Sequence, residues 1–132
     1  MQKGIIHTDL APHPLANYSQ AWAVSESKLI FTSGQTPVDM NGNSIGVGDI
    51  VLQTRTVFQN IEGVLNGAGV KLKDVIKITI YVTNMADYIE KAGKIRGEYF
   101  PKDFPSSTLV EVKSLARPEF MVEIEAIAAT DY

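Results

Sequence analysis

The segment from Phe104 to Ala128 constrains the fold of this chain more than any other. Thr108, Val110 and Val112 alternate there with Leu109, Glu111 and Lys113; Val122, Ile124, Ala126 and Ala128 alternate with Met121, Glu123, Glu125 and Ile127. Period-two alternation sends successive side chains to opposite faces of a sheet, so both runs read as strands. Pro118 presets φ for the first central position of a turn, and Arg117–Pro118–Glu119 therefore reads as the connection of a hairpin. One face of the pair is nearly all apolar and has to cover a core. The other mixes Leu109, Met121 and Ile127 with Glu111, Glu123 and Glu125, a pattern that suits either water or a second subunit that leaves a polar pocket.

Upstream, Lys3 to Thr8 reads as a short strand, broken by Pro12 and Pro14. Tyr18 to Val24 and Lys28 to Gln35 read as a hairpin turning at Ser25–Glu26–Ser27. Gly34 after Ser33 weakens the second of these strands and marks a bulge or a close approach of the backbone. Thr36 to Asp49 is a loop with Asn41–Gly42 as its sharpest turn. From Asp49, a plausible N-cap, to Ala68, the residues Ile50, Thr54, Val57, Phe58, Ile61, Val64 and Leu65 share one helical stripe. Asp74 to Thr83 is a strand, and Met85 to Phe100 a helix with Tyr88, Ile89, Ala92, Ile95 and Tyr99 inward, ended by Pro101. The order is β-β-β-α-β-α-β-β: an α+β domain spanning residues 1–132, with one sheet and two helices packed on one face. Two helices cannot cover both faces, so the mixed face points to an oligomer.

A length of 132 residues suits one domain, and 45% hydrophobic with 20% charged residues is ordinary for a globular protein. The net charge of -3 with no basic cluster argues against a nucleic-acid surface. With no cysteine, disulfides, thiolate metal sites and a cysteine nucleophile are excluded. No apolar run approaches the roughly 18 residues of a membrane span and no signal-peptide core is visible, so a cytoplasmic, membrane-free location is expected.

General catalytic signatures are absent: no phosphate loop, no GxSxG, no HExxH. His7 and His13 stand apart from any carboxylate cluster and read as surface residues. Three groups hold chemical interest. Ser33–Gly34–Gln35 sets a hydroxyl beside a glycine where a ligand can approach; its plain alternative is a bulge without a role. Tyr18 is a pocket wall or a core aromatic. Glu123, flanked by apolar residues, needs a partner or a proton, and its plain alternative is an ion pair with Lys77 or Lys113.

The runs Tyr18–Gln20, Phe31–Asp39, Gln53–Gly69, Asp74–Val82, Ser107–Val112 and Val122–Ala128 occur in this order. In this order, with the S-G-Q-x-P of Ser33–Pro37 and the E-I-E-A-x-A of Glu123–Ala128, they resemble the reactive intermediate deaminase (Rid, or YjgF) family over nearly the whole chain. The resemblance implies a chorismate-mutase-like fold and a homotrimer that binds small molecules in clefts between subunits. It also implies hydrolysis of enamines and imines, typically 2-imino acids, with no cofactor or metal. On the family pattern Glu123 orients or activates water, Tyr18 and Ser33 line the pocket, and Gly34, Gln35, Ser107, Thr108 and Leu109 fall at substrate-binding positions.

The departures from the pattern bear on substrate. Where the family has P-x-R-[ST]-x-V-E-V, Ser107 stands at the position of the carboxylate-binding Arg and Leu109 at one often held by Cys; Gly93 corresponds to a frequent Asn. A hydroxyl does not replace a guanidinium fork, so the expected substrate is an imine other than the usual 2-imino acids, unless Arg55, Arg96, Lys113 or Arg117 supplies the cation. The alternatives are a non-catalytic metabolite-binding or regulatory trimer and, as a lesser one, a ribonuclease or translation inhibitor, which the acidic balance and the missing His pair disfavour.

Overall fold

The computed structural model describes residues 1–131. In chain order it runs β1 (Gln2–Ile6), β2 (Ala21–Ser25), β3 (Lys28–Phe31), α1 (Ile50–Gly67), a 3-10 turn at Leu72–Asp74, β4 (Val75–Val82), α2 (Met85–Ala92), α3 (Ile95–Tyr99), β5 (Ser106–Glu111) and β6 (Val122–Thr130). β3, β6, β4 and β5 lie side by side in that order, antiparallel except for the parallel β4–β5 pair, while β1 and β2 form a separate two-stranded sheet.

α1 starts where its cap allows. The Asp49 carboxylate accepts from the Leu52 N–H at 3.0 Å, satisfying a donor that the first turn leaves free. Past the last residue of α1, Gly67, and the cap at Ala68, the chain turns away at Gly69, whose φ of 76° is the left-handed value glycine adopts without strain. The Gly69 N–H reaches the Asn66 carbonyl and the Val70 N–H the Leu65 carbonyl, both at 3.0 Å, closing the last turn. Between these ends Ile50, Thr54, Val57, Phe58, Ile61 and Leu65 are buried, together with Gln53, whereas Val64 stays exposed. Gln53 is satisfied in place: its amide donates to the Gly46 and Glu119 carbonyls and accepts from Met121 N–H. The α1 stripe packs on Ile78, Ile80 and Val82 of β4 and Val122, Ile124, Ala126 and Ala128 of β6. Tyr99 stacks on Phe58 at 4.9 Å and Phe100 meets its edge at 6.0 Å. Each such large side chain contributes about 1.5–3 kcal/mol by leaving water.

The structure corrects the expected pairings. β5 and β6 are not a hairpin, because β4 lies between them and Ile80 faces Leu109 on one side and Ile124 on the other. The chain from Val112 to Met121 crosses one strand to make this connection. β2 and β3 are not paired either: Glu26, at φ 48°, turns the chain out of the small sheet and into the large one. Tyr18 precedes β2 instead of opening it. There is thus a large sheet and a small one where a single sheet was expected. The Met85–Phe100 helix is two helices separated at Gly93–Lys94, and Ile89 is exposed instead of inward.

Register also reassigns the faces of β5. Ser107, Leu109 and Glu111 align with Ile78, Ile80 and Val82, so they belong to the helix-covered face. Leu109 packs against the core there. Thr108 and Val110 align with Thr79 and Tyr81 and belong to the open face, with Lys77, Glu123, Glu125, Ile127, Leu29 and Phe31.

Candidate functional site

Beyond β3 the chain stays beside β6 but loses step. The Thr32 N–H bonds the Ala126 carbonyl at 2.9 Å, and the Gln35 N–H bonds the Ile124 carbonyl at 2.8 Å. Three residues on one side thus match two on the other, which is a bulge at Ser33–Gly34. Glu123 fills the space it opens. A Cβ placed on Gly34 would lie 2.8 Å from the Glu123 carboxyl carbon, so only glycine lets the carboxyl rest against this backbone. The bulge and the close approach expected at Gly34 are therefore both present, and Ser33 lies exposed beside them.

Glu123 makes no ion pair among the described residues: Lys77 donates instead to Thr108 Oγ1 at 2.7 Å. Burial, aided by the charge of Glu125, pushes the Glu123 carboxyl above its ordinary value. Glu125 is held from the side, accepting from the Tyr81 hydroxyl at 2.6 Å, and that bond raises the Tyr81 phenol. The result is a carboxyl with raised proton affinity, seated on an open backbone, with its neighbour carboxylate fixed by a phenol.

A second concavity lies on the other side of the sheet. Ala16, Tyr88, Ile89, Gly93, Arg96 and Leu109 line about 330 Å³, and Ala16, Gly93 and Arg96 also line a larger hollow with Asn17, Lys94 and Gly97. The α2–α3 break shapes it. A side chain on Gly93 would meet the Ile89 carbonyl oxygen at 2.8 Å. Arg96, on α3, donates from Nη1 to Ser107 Oγ at 3.0 Å. Tyr88 is 3% exposed; burial raises its phenol while the Arg96 charge pulls it back down.

The family model for Endoribonuclease L-PSP matches residues 8–130. A RutC family protein of Pyrococcus horikoshii is 41% identical over 126 residues, covering 96% of this chain and 97% of that protein. The 3-aminoacrylate deaminase RutC of Acinetobacter baylyi is 36% identical over 128 residues, covering 97% and 98%. A solved structure of the Rid family protein YyfB of Yersinia pestis, of unknown function, superposes with a TM-score of 0.87 at 28% identity, covering 98% of this chain and all of that one. This chain is a Rid (YjgF) family protein.

Within this Rid protein the residues singled out in the sequence divide between two places. Glu123, Ser33, Gly34 and Gln35 gather at the bulge, with Gln35 Nε2 donating to the Ser33 carbonyl at 3.3 Å. Ser107 and Leu109 line or border the helix-side hollow. Tyr18 sits before β2, its hydroxyl accepting from Leu15 N–H at 3.4 Å, next to Ser19, whose N–H reaches the Pro105 carbonyl at the entry to β5. Thr108 belongs to the open face with Lys77. Because Ser107 and Leu109 share the helix-covered face and Glu123 the open one, one protomer does not bring the whole set together.

Among the four candidate cations, Arg55 is tied to Glu98 in a two-pronged ion pair, and Arg117 donates to Ser44 Oγ at 3.0 Å and lies over the Phe120 ring. Lys113 is exposed beyond β5. Only Arg96 reaches Ser107. His7 and His13 are exposed as expected, although His13 does face a carboxylate, that of Asp9 at 2.6 Å. Sequence reading missed Tyr88 as a site residue, treating it as core, and missed the Tyr81–Glu125 pair. The signal for the second was present: two carboxylates at i and i+2 on one strand face, directly across from Thr79 and Tyr81.

Proposed function

We propose that this protein hydrolyses a reactive imine or enamine to a carbonyl compound and ammonia, in a cleft completed when three copies bury the open sheet face. The observation that carries the reading is Glu123, an unpaired carboxyl with a raised proton affinity resting on the bare backbone of Gly34. A carboxyl with raised proton affinity can both donate and accept a proton, as addition of water to C=N requires. Water adds its oxygen to the imine carbon while the nitrogen takes a proton; the resulting carbinolamine then loses ammonia as its hydroxyl proton leaves and C=O forms. Glu123 serves as the acceptor and donor for these transfers. Ser33 and the backbone at Gly34 supply hydrogen bonds beside it. The deaminase activity named for the Acinetobacter baylyi relative is of this chemical type.

Two features support assembly. The open face carries Phe31 at 68% exposure and Leu29 at 43%, beside Ile127 and Val110, which makes it suited to burial by another copy. Setting the helix-side hollow of one copy against the Glu123 face of the next also unites residues that a single chain keeps apart.

The test is purified protein assayed for ammonia and carbonyl product on imines generated in the cuvette, with Glu123→Gln alongside. Turnover by the wild type and its loss in the variant are expected. Turnover unchanged in Glu123→Gln would remove the assignment. Ligand binding with no turnover would leave a metabolite-binding trimer in its place.

A further inference from the structure

The Arg96 guanidinium has five N–H donors, and the structure employs one of them, toward Ser107 Oγ. No carboxylate lies within 4.0 Å of it among the described residues. Glu98, on the same short helix, is committed to Arg55. The Tyr88 hydroxyl has no hydrogen-bond partner among the described residues, although its side chain is almost wholly buried. No buried polar side-chain atom is sealed off without a partner, so this oxygen opens into the hollow it lines. A free cation and a free phenol thus share a cavity whose remaining walls are Ala16, Ile89, Gly93 and Leu109. Buried polar groups are normally satisfied, and two open donors in one apolar-walled hollow point to an acceptor that arrives with the ligand.

We propose that Arg96 is the specificity-determining cation of this site: positioned by Ser107 and joined by the Tyr88 hydroxyl, it selects imines and enamines that bear a carboxylate. The guanidinium fork matches a planar carboxylate with two parallel bonds, and the phenol adds a third donor. Ser107 is then a positioning residue. Its hydroxyl accepts one Arg96 N–H and thereby fixes the fork's orientation, where an Arg at that position would repel it. The departure from 2-imino acids expected from Ser107 alone gives way to an anionic substrate, because the cation is carried by α3 in place of β5. The small apolar walls limit the rest of the substrate to a short aliphatic group.

This inference names the substrate class of the hydrolytic site and rests on that reading, so recognition and turnover are measured separately. In the binding arm, 2-oxobutanoate and its methyl ester are titrated calorimetrically into the intact protein. The wild type is expected to bind the acid about ten- to a hundredfold tighter than the ester, the range of one charge-assisted pair. Arg96→Gln should erase that preference, Arg96→Lys keep part of it, and Tyr88→Phe and Ser107→Ala reduce it by less. In the kinetic arm, Arg96→Gln should raise KM for 2-iminobutanoate more than for its ester imine, so that the acid-to-ester ratio falls toward one. Each variant is first checked for wild-type circular dichroism and mass; if Arg96→Gln fails, Arg96→Lys and Ser107→Ala carry the comparison. An acid preference that depends on Arg96 without any turnover would uphold recognition and defeat the hydrolase reading. Turnover with the same acid-to-ester ratio in wild type and both Arg96 variants would overturn the role of Arg96 and leave hydrolysis standing. No acid preference in the wild type in either arm would also overturn it.

Discussion

The two faces of the four-stranded sheet are made from the same strands yet obey different rules. On the helix side Ile78, Ile80, Val82, Val122 and Ile124 are wholly buried, and every one is aliphatic. On the open side, Tyr81, Glu123, Glu125, Lys77 and Thr108 stand among Leu29, Phe31, Ile127 and Val110; hydrogen bonds join Lys77 to Thr108 and Tyr81 to Glu125, and Glu123 is left unpaired. A face that needed only to pack would have no use for two carboxylates on one strand. The difference separates the part of the sequence that specifies the fold from the part that specifies chemistry.

The largest effect that can break this comparison comes from one residue type on both sides. Phe58→Ala, under the helices, should lower unfolding free energy by about 3–5 kcal/mol in denaturant melts. Phe31→Asp, on the open face, should leave circular dichroism unchanged while the sedimentation mass, three chains under the proposed assembly, falls to one. A large loss of secondary structure in Phe31→Asp, or an unchanged mass, would show that the open face is not an interface.

Next in size is Gly34→Ala. The added Cβ collides with the end of a flexible side chain, so stability should move by less than about 1 kcal/mol, within the range of ordinary substitutions. The Glu123 carboxyl, however, is displaced, and turnover should drop by about a hundredfold, as misplacement of a reacting group by an ångström does. Equal losses of stability and turnover would make the bulge structural only. A smaller effect is expected from Tyr81→Phe, which deletes the O–H donated to Glu125 and should cost about 1 kcal/mol in chemical denaturation.

The smallest effect is a slope. The folded-state affinity of Glu123 for its proton exceeds that of a carboxyl with the ordinary value of 4.5. Between the two values the folded chain keeps a proton that the unfolded chain releases, so this group's contribution to stability is lost as pH rises through the window. Glu123→Gln removes the loss, and the variant should gain on the wild type as pH climbs above the ordinary value of 4.5 in paired denaturant melts. A difference that stays flat with pH, or reverses, would place Glu123 in a favourable charged environment instead.

Much of the fold was legible because periodicity reports local geometry. The β6 alternation and the Asp49 cap appear where the residues place them, and the α1 stripe does so except at Val64, which is exposed. Pairing was less legible. Alternation says which residues share a face, but Leu109 and Val110 are both apolar, so β5 could present either side until its register with β4 was known. The segment from Val112 to Met121 is long enough to step over one strand, two spacings of about 4.8 Å each, and the turn chemistry at Pro118 does not reveal whether it does so. Within the site, Glu123 stood out as a carboxylate among apolar neighbours. Arg96 did not, because its partner Ser107 lies on a different element and an arginine beside a helix break looks like any exposed one. The loss of an Arg at Ser107 was visible in one position; its compensation was spread over two.

β6 lies between β3 and β4, yet among the described strands it is the one the ribosome delivers last. Synthesis at about 5–20 residues per second leaves a nascent chain waiting seconds for it. During that interval β3 has no neighbour, and β4 can join only β5, through the parallel pair. α1 has half a floor, with Phe58 and Ile61 lacking Ile124 and Ala126 beneath them. The sheet therefore closes only after Val122–Thr130 clears the exit tunnel, in a step that joins residues as far apart in sequence as Lys28 and Thr130. A translation pause or a chaperone acting before that point would hold a half-built, sticky intermediate; the same agents acting afterwards would meet a finished one.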